Sequence, residues 1–285
     1  MRWLFTWVRG VPRWQRKIVG DFPLYQATTM SWLPGVVQGF TTRKGGVSVT
    51  PYNSLNLGSH VGDDPVAVDT NRSRFLGDLG FDLGKVALAE QVHGDVVARV
   101  YDGSAEPVKD ADALVTDSLG VLLMLFFADC VPVYIYDPAH RAIGLAHAGW
   151  RGAAKNIVGK TILAMEEHFG TDPAQCLVAV GPCIGADSYE VGTDVADLFR
   201  NLAVGSDSGA ATVVMPRDGI SNTYTLDLRQ VIFLQAMRMG IRAESIAVCD
   251  EDTYRNRKDF FSYRRDGVTG RMAAFLGLQS VARSR

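Results

Sequence analysis

Residues 121–137, VLLMLFFADCVPVYIYD, decide how this sequence is read. A seven-residue apolar run (121–127) meets Ala128-Asp129-Cys130 and then a second run, VPVYIYD (131–137). Short apolar runs rich in aromatic and β-branched residues, bounded by turn signals, read as buried strands. An aspartate and a cysteine therefore stand at the junction of two core strands.

The pattern extends outward from there. KVALAEQVH (85–93), DVVARV (95–100), ADALVT (111–116) and RAIGLAHA (141–148) read as strands punctuated by Gly94, Asp137-Pro138 and Gly149. Upstream, VVQGFTTR (36–43) is strand-like and leads into a Gly-, Ser- and Asn-rich loop. Asp64 suits a helix N-cap and Pro65 the first turn, which predicts a helix running to about Leu79. Downstream, Ala154, Ile157, Val158, Thr161, Ile162, Met165 and Phe169 mark one apolar face of a long helix that starts near Arg151. Residues 176–185 read as a strand and a glycine-bounded loop. Helices are expected near 193–202 and 227–239, and strands near 212–215, 223–226 and 245–249. Strands grouped together with few helices predict an α+β fold, with helices covering a mixed or antiparallel sheet.

The 285 residues, 47% hydrophobic, suit one domain with a sizeable core. A net charge of −2 gives no global case for nucleic-acid binding. No apolar segment approaches the ~20 residues of a membrane span. Four scattered cysteines (130, 176, 183, 249) without a CxxC pair argue for a reducing compartment. The first 17 residues hold five basic and no acidic side chains, with Trp3, Trp7 and Trp14. Residues 1–32 are expected to be a loosely ordered extension, and residues 33–285 a single catalytic domain.

Only five histidines are present. His93 and His147 close predicted strands, and Cys130 lies at a strand junction; 37 and 17 residues separate the three. Two imidazoles and a thiolate suit Zn²⁺ or copper, and three protein ligands leave a position for substrate. On residue chemistry alone Cys130 has three readings: a buried structural thiol, a metal ligand, or a nucleophile paired with His147. His60, His140 and His168 read as surface residues. Arg43, at a strand end, and Arg151, after a glycine turn, are candidates for holding an anion. Asp129 is a candidate for proton relay or for orienting its neighbours.

TTRKGGVS, NLGSHVGDD, QVHG, DADALVT, ADCVPV, GLAHAGWRG, VGPCIG and FFSYRRDGVTGRMA occur in this order. In this the chain resembles the YfiH/YlmD family, also called laccase-domain or multicopper polyphenol oxidase-like proteins, over about residues 36–278. The resemblance implies a layered α/β/β/α sandwich with mixed sheets and two related β-rich halves, and a cytoplasmic location. It implies one Zn²⁺ per chain on His93, Cys130 and His147. It also implies phosphorolysis of purine nucleosides (adenosine, inosine, methylthioadenosine) with adenosine deaminase activity, so the partners are a nucleoside and phosphate, with a homo-oligomer allowed. Removal of a wrong serine from a nucleotide-linked muramyl precursor is an alternative. Weak phenol oxidation with Cu²⁺ bound in vitro is another. A multicopper centre would need far more histidines than five. The family often has Cys-Thr-Tyr where this chain has Asp252-Thr253-Tyr254, so no role is carried onto Asp252.

Overall fold

The computed structural model describes residues 14–104, 106–200, 212–217 and 219–280. In chain order the elements begin with β1 (Trp14–Val19), β2 (Phe22–Ala27), β3 (Val36–Thr41), α1 (Pro65–Leu79), β4 (Val86–Leu88) and β5 (Val97–Arg99). Next come β6 (Ala113–Thr116), β7 (Leu122–Phe127), β8 (Val131–Asp137), β9 (Ala142–Ala148), α2 (Trp150–Ala154), α3 (Ile157–Phe169) and β10 (Leu177–Val180). The remainder is β11 (Glu190–Gly192), α4 (Thr193–Asp197), β12 (Val214–Pro216), β13 (Thr223–Leu226), α5 (Leu228–Arg238), β14 (Ile246–Val248), α6 (Tyr263–Asp266) and β15 (Met272–Leu278).

Two six-stranded sheets carry the fold. The first has the order β1-β2-β3-β15-β7-β4 and the second β14-β10-β8-β9-β6-β5; both mix parallel and antiparallel pairs. A small third sheet, β11-β13-β12, stands apart from them. Side-chain alternation sorts the layers. Along β7, Leu123, Leu125 and Phe127 join Tyr134, Tyr136, Ile143 and Leu145 in one core cluster between the sheets. Their neighbours Leu122, Met124 and Phe126 turn the other way, onto Phe75 and Leu76 of α1. In the second sheet Val131, Val133 and Ile135 face α3 and α5 through Ile157, Ile162, Val231 and Ile232. Because successive strand residues point to opposite faces, strands covered on both sides read as continuous apolar runs. The order of layers is thus helix, sheet, sheet, helix, in accord with the expected α+β sandwich.

Three expectations are corrected. Residues 14–32 are not a loose extension: β1 and β2 form an antiparallel hairpin that edges the first sheet. Only Trp14 of β1 is buried, so its hydrophobic pattern is weak, whereas Phe22, Leu24, Tyr25 and Ala27 of β2 are core residues. The usable signal was Gly20-Asp21, a two-residue turn with Gly20 at φ 54°, a strong hairpin cue. Residues 1–13, with their basic and tryptophan content, lie outside the described residues. Second, the long helix is broken. Asn156 adopts a left-handed φ of 59° and its side chain caps α3 by accepting from the Gly159 N–H. Asparagine tolerates this conformation and favours caps, so Arg151 sits on the five-residue α2, not on α3. Third, the strand expected over 85–93 stops at Leu88, and His93 lies in a bend.

Asp259 ties the hairpin down. Its carboxylate accepts hydrogen bonds from Tyr25 Oη (2.9 Å) and Lys44 Nζ (2.7 Å), with Arg16 Nε at 3.5 Å. Burial alone would raise this carboxyl, but Lys44, Tyr25 and Arg16 outweigh it and hold it below the usual range. A carboxyl depressed in the folded state stabilises above the unfolded value, near pH 4, and that stability is lost as pH falls through the folded value. Asp259→Asn should therefore cost about 1.5–3 kcal/mol at pH 7 and progressively less below about pH 4. Denaturant titrations of both proteins at pH 7 and pH 3 measure this; an equal difference at the two pH values would contradict it.

Candidate metal centre and cleft

His93, Cys130 and His147 converge although the sequence separates them. Their ligand atoms all lie within 4.8 Å of one another, the single group of this kind among the described residues. Each arrives by a different device. His147 is the next-to-last residue of β9, paired with Pro132 of β8. Cys130 stands where the chain leaves β7 in the first sheet for β8 in the second. His93 lies in the connection from β4, in the first sheet, to β5, in the second. Its φ of 57° and the φ of 101° at Asp129 are left-handed conformations, uncommon for non-glycine residues and held only by strong local contacts.

Asp112, fully buried, supplies those contacts for His93. Its carboxylate accepts from the backbone N–H groups of Val92 (3.1 Å), His93 (3.1 Å) and Gly94 (2.6 Å). The same carboxylate lies 2.7 Å from His147 Nδ1. Burial works against its charge, but the His147 contact and the backbone N–H groups outweigh it and hold the carboxyl low. An ionised Asp112 requires the proton on Nδ1, which leaves Nε2 of His147 as the atom able to take a metal. Gly149 closes the other side: a Cβ there would come 3.1 Å from both Cys130 Sγ and His93 Cδ2.

The thiol chemistry singles out Cys130. Burial would raise it, but charge and hydrogen bonds from His147 and His93 bring it down to about 6. His147, which burial would lower, is raised to about 9 by Cys130 and Asp112. Cys176 and Cys183, by contrast, are pushed up by burial to about 12 and about 11, and burial also raises Cys249. The donor set suits a thiophilic divalent ion. Zn–N and Zn–S bonds of about 2.0–2.3 Å at tetrahedral angles put ligand atoms roughly 3.5 Å apart, a small closure of the observed triangle.

Neither Cys183 nor Asp129 joins the group as a fourth protein ligand. Cys183 Sγ accepts from Arg229 Nε at 3.1 Å. The Asp129 carboxylate accepts from Thr253 Oγ1 (2.7 Å), Ser262 Oγ (2.9 Å) and the Arg264 N–H (2.7 Å). Burial raises the Asp129 carboxyl despite these donors. They make Asp129 a knot between the Cys130 junction and the 253–264 segment.

The triangle opens into a cleft of about 450 Å³, a size that suits a small organic ligand. Phe126, Trp150, Tyr189 and Tyr263 give it aromatic faces, and Arg151, Arg264 and Arg271 give it cationic ones, with the His60 imidazole alongside. Arg151 thus lines the site as expected. Arg43 does not: its guanidinium bonds the Asn53 carbonyl at 3.0 Å and stacks 4.5 Å over Phe261, outside the cleft lining. His140 and His168 are exposed. His60 is exposed too, yet it lines the cleft beside Phe126, so its reading as a plain surface residue is incomplete. Sequence reading also missed Arg264, Arg271 and Tyr189 as cleft residues, although the two arginines stand in the motif FFSYRRDGVTGRMA. Asp252, the departure noted above, accepts from Ser188 Oγ at 2.6 Å and fills the space against Gly185. It braces the loop between Ile184 and Tyr189, two cleft-lining residues.

A two-sheet sandwich with a His₂Cys triangle opening into an aromatic and cationic cleft defines the class. Its architecture is shared with the crystal structure of YlmD from Geobacillus stearothermophilus (TM-score 0.85, 37% identity, covering 95% of this chain and 100% of that one). It is also shared with Neisseria meningitidis NMB0706 (TM-score 0.77, 36% identity, 91% and 100%). Residues 37–279 match the family described as multi-copper polyphenol oxidoreductase laccase, and the chain belongs to that family. Curated relatives include the purine nucleoside phosphorylase YlmD of G. stearothermophilus, 38% identical over 270 residues (89% of this chain, 97% of that one). The purine nucleoside phosphorylase YfiH of Escherichia coli is 37% identical over 244 residues (86% and 94%). No helix among the described residues is long and apolar enough to cross a membrane.

Proposed function

We propose that this chain is a zinc-dependent purine nucleoside phosphorylase with accompanying adenosine deaminase activity, acting in the cytoplasm. The observation that carries the reading is the convergence of His93, Cys130 and His147 at the wall of an aromatic, cationic cleft, in a family whose relatives are named as phosphorylases. His93, Cys130 and His147 would hold the ion, with Asp112 orienting His147. Zinc would supply a redox-inert Lewis acid in the cleft.

The protein's own residues do the rest. Phe126, Trp150, Tyr189 and Tyr263 offer faces on which a purine can stack. The cleft arginines attract a phosphate and stabilise its charge in a partly dry site. In phosphorolysis the bond from ribose C1′ to the purine nitrogen breaks, a phosphate oxygen bonds C1′, and the base leaves with a proton. In deamination water replaces the C6 amino group of adenosine and ammonia leaves. Asp129, whose carboxylate takes donors from Thr253, Ser262 and Arg264, orients the segments on either side of the Cys130 junction, one of the two roles expected of it.

Zinc-loaded protein given inosine and phosphate should release hypoxanthine and ribose 1-phosphate, and release nothing from inosine without phosphate. No hypoxanthine under conditions where a known phosphorylase works would sink the reading. Multicopper oxidation of phenols is disfavoured by the site: the described residues contain one three-ligand group, too few ligands for a blue centre and a trinuclear cluster. Copper in the same triangle would support weak phenol oxidation at most.

A further inference from the structure

The cations of the cleft are not evenly committed. Among the described residues no carboxylate pairs with Arg264, Arg271, Arg72 or Arg151, whereas Arg16, Arg74, Arg99, Arg200, Arg217, Arg255 and Arg265 each have a carboxylate partner. The two acids near the cleft are spent: Asp112 on His147 and three backbone N–H groups, Asp129 on Thr253, Ser262 and the Arg264 N–H. The cleft is thus locally positive in a chain whose net charge is −2, and guanidiniums without a carboxylate partner, half-buried for Arg271 and Arg72 and exposed for Arg264 and Arg151, are free to take an anion.

Arg271 and Arg264 are held ready for one. Arg271 Nη1 donates to the carbonyls of Thr269 (2.9 Å) and Gly270 (3.1 Å), and its backbone N–H donates to Asn56 Oδ1 at 2.8 Å. Gly58 makes room for its stem, since a Cβ there would lie 2.8 Å from Arg271 Cγ. Arg264 Nη1 donates to the Glu190 carbonyl at 2.7 Å, and the guanidinium lies 4.8 Å over Tyr189. In each fork only Nη1 bonds a described residue, so both guanidiniums line the cleft with donors to spare.

His60 shares the Phe126 wall with Arg72, whose guanidinium stacks 4.9 Å over that ring. It is close enough to the triangle to matter electrostatically. Although the side chain as a whole is exposed, desolvation of its ring against the cleft wall, then Arg271 and Arg72, then His147 and His93 hold His60 below its ordinary value. Arg271 in turn feels the charge of Cys130. Neutral or charged, the imidazole of His60 offers an N–H donor.

We propose that Arg271, Arg264 and His60 form the subsite for the inorganic phosphate co-substrate, beside the His93–Cys130–His147 triangle. This rests on the phosphorolytic reading above and assigns its anion to residues other than Arg43. Arg72, behind Phe126, adds to the field without contact.

The test uses zinc-loaded full-length chain, with zinc content and circular dichroism checked for each variant. Arg271→Gln and Arg264→Gln should each raise the KM for phosphate roughly ten- to a hundredfold, the loss of one charge-assisted contact, while the nucleoside KM changes less than about twofold. Arg43→Gln should leave the phosphate KM within about the same twofold margin. Arg271 also braces its own turn, so if Arg271→Gln fails to fold, Arg264→Gln and His60→Gln carry the test. An unchanged phosphate KM in the folded variants overturns the subsite. If the unaltered protein shows no phosphorolysis, calorimetric titration with inorganic phosphate decides separately. Saturable binding that Arg264→Gln weakens keeps the subsite and removes only the phosphorylase reading; no binding, or equal binding by the variant, overturns the subsite.

Discussion

Cys130→Ala is expected to purify without zinc and to lose nucleoside phosphorolysis, while Cys176→Ala and Cys249→Ala keep both. Removing a ligand should weaken metal affinity at least as much as removing a supporting hydrogen bond, so by about a hundredfold or more. The contrast among cysteines follows from their surroundings. Cys130 faces two imidazoles that favour the thiolate, the form that binds a metal. Cys176 and Cys249 are buried thiols whose ionisation burial disfavours. Elemental analysis after dialysis measures the outcome. Full zinc occupancy in Cys130→Ala would remove the cysteine from the site, and covalent labelling of Cys130 in zinc-loaded protein would restore the nucleophile reading.

Asp112→Ala should be the most damaging change away from the ligands themselves. It strips three backbone N–H groups and the His147 ring of one buried acceptor. Breaking a buried charged pair costs about 3–5 kcal/mol, which for a domain of this size lowers Tm on the order of 10 °C. Losing the partner of a ligating histidine weakens metal binding about 10–100-fold. Asp112→Asn retains one acceptor oxygen and should fall between. Thermal unfolding and competition with a zinc chelator separate the two losses; a variant with native Tm and native affinity would show that His93 keeps its left-handed bend unaided.

How much of this was legible in the sequence follows from where order is local. The start of α1 was readable because Asp64 caps and Pro65 opens the helix; the Asp64 side chain accepts from the Val66 N–H as its type predicts. Strands β7, β8 and β9 were readable because doubly covered strands are apolar throughout. Less local features were not. The edge strand β1 buries one residue and carries no periodic signal. The bend at His93 depends on Asp112, 19 residues away. The cleft wall gathers His60, Arg264 and Arg271 from segments some 200 residues apart, which spacing cannot reveal. The ligand trio was within reach because its members flank strands, yet residue chemistry left Cys130 open until the ordered motifs were taken together.

Two of the three ligands sit where the polypeptide crosses from one sheet to the other, and only His147 belongs to a regular strand. The triangle therefore has no existence in either sheet alone. A chain still being folded can build β7, β8 and β9 and place Cys130 near His147, but His93 arrives only when β4 and β5 have taken their places on opposite layers. A metal held by these three residues would therefore bind only the docked sandwich and would favour that assembled state by mass action. Such an ion would act as a rivet through both layers.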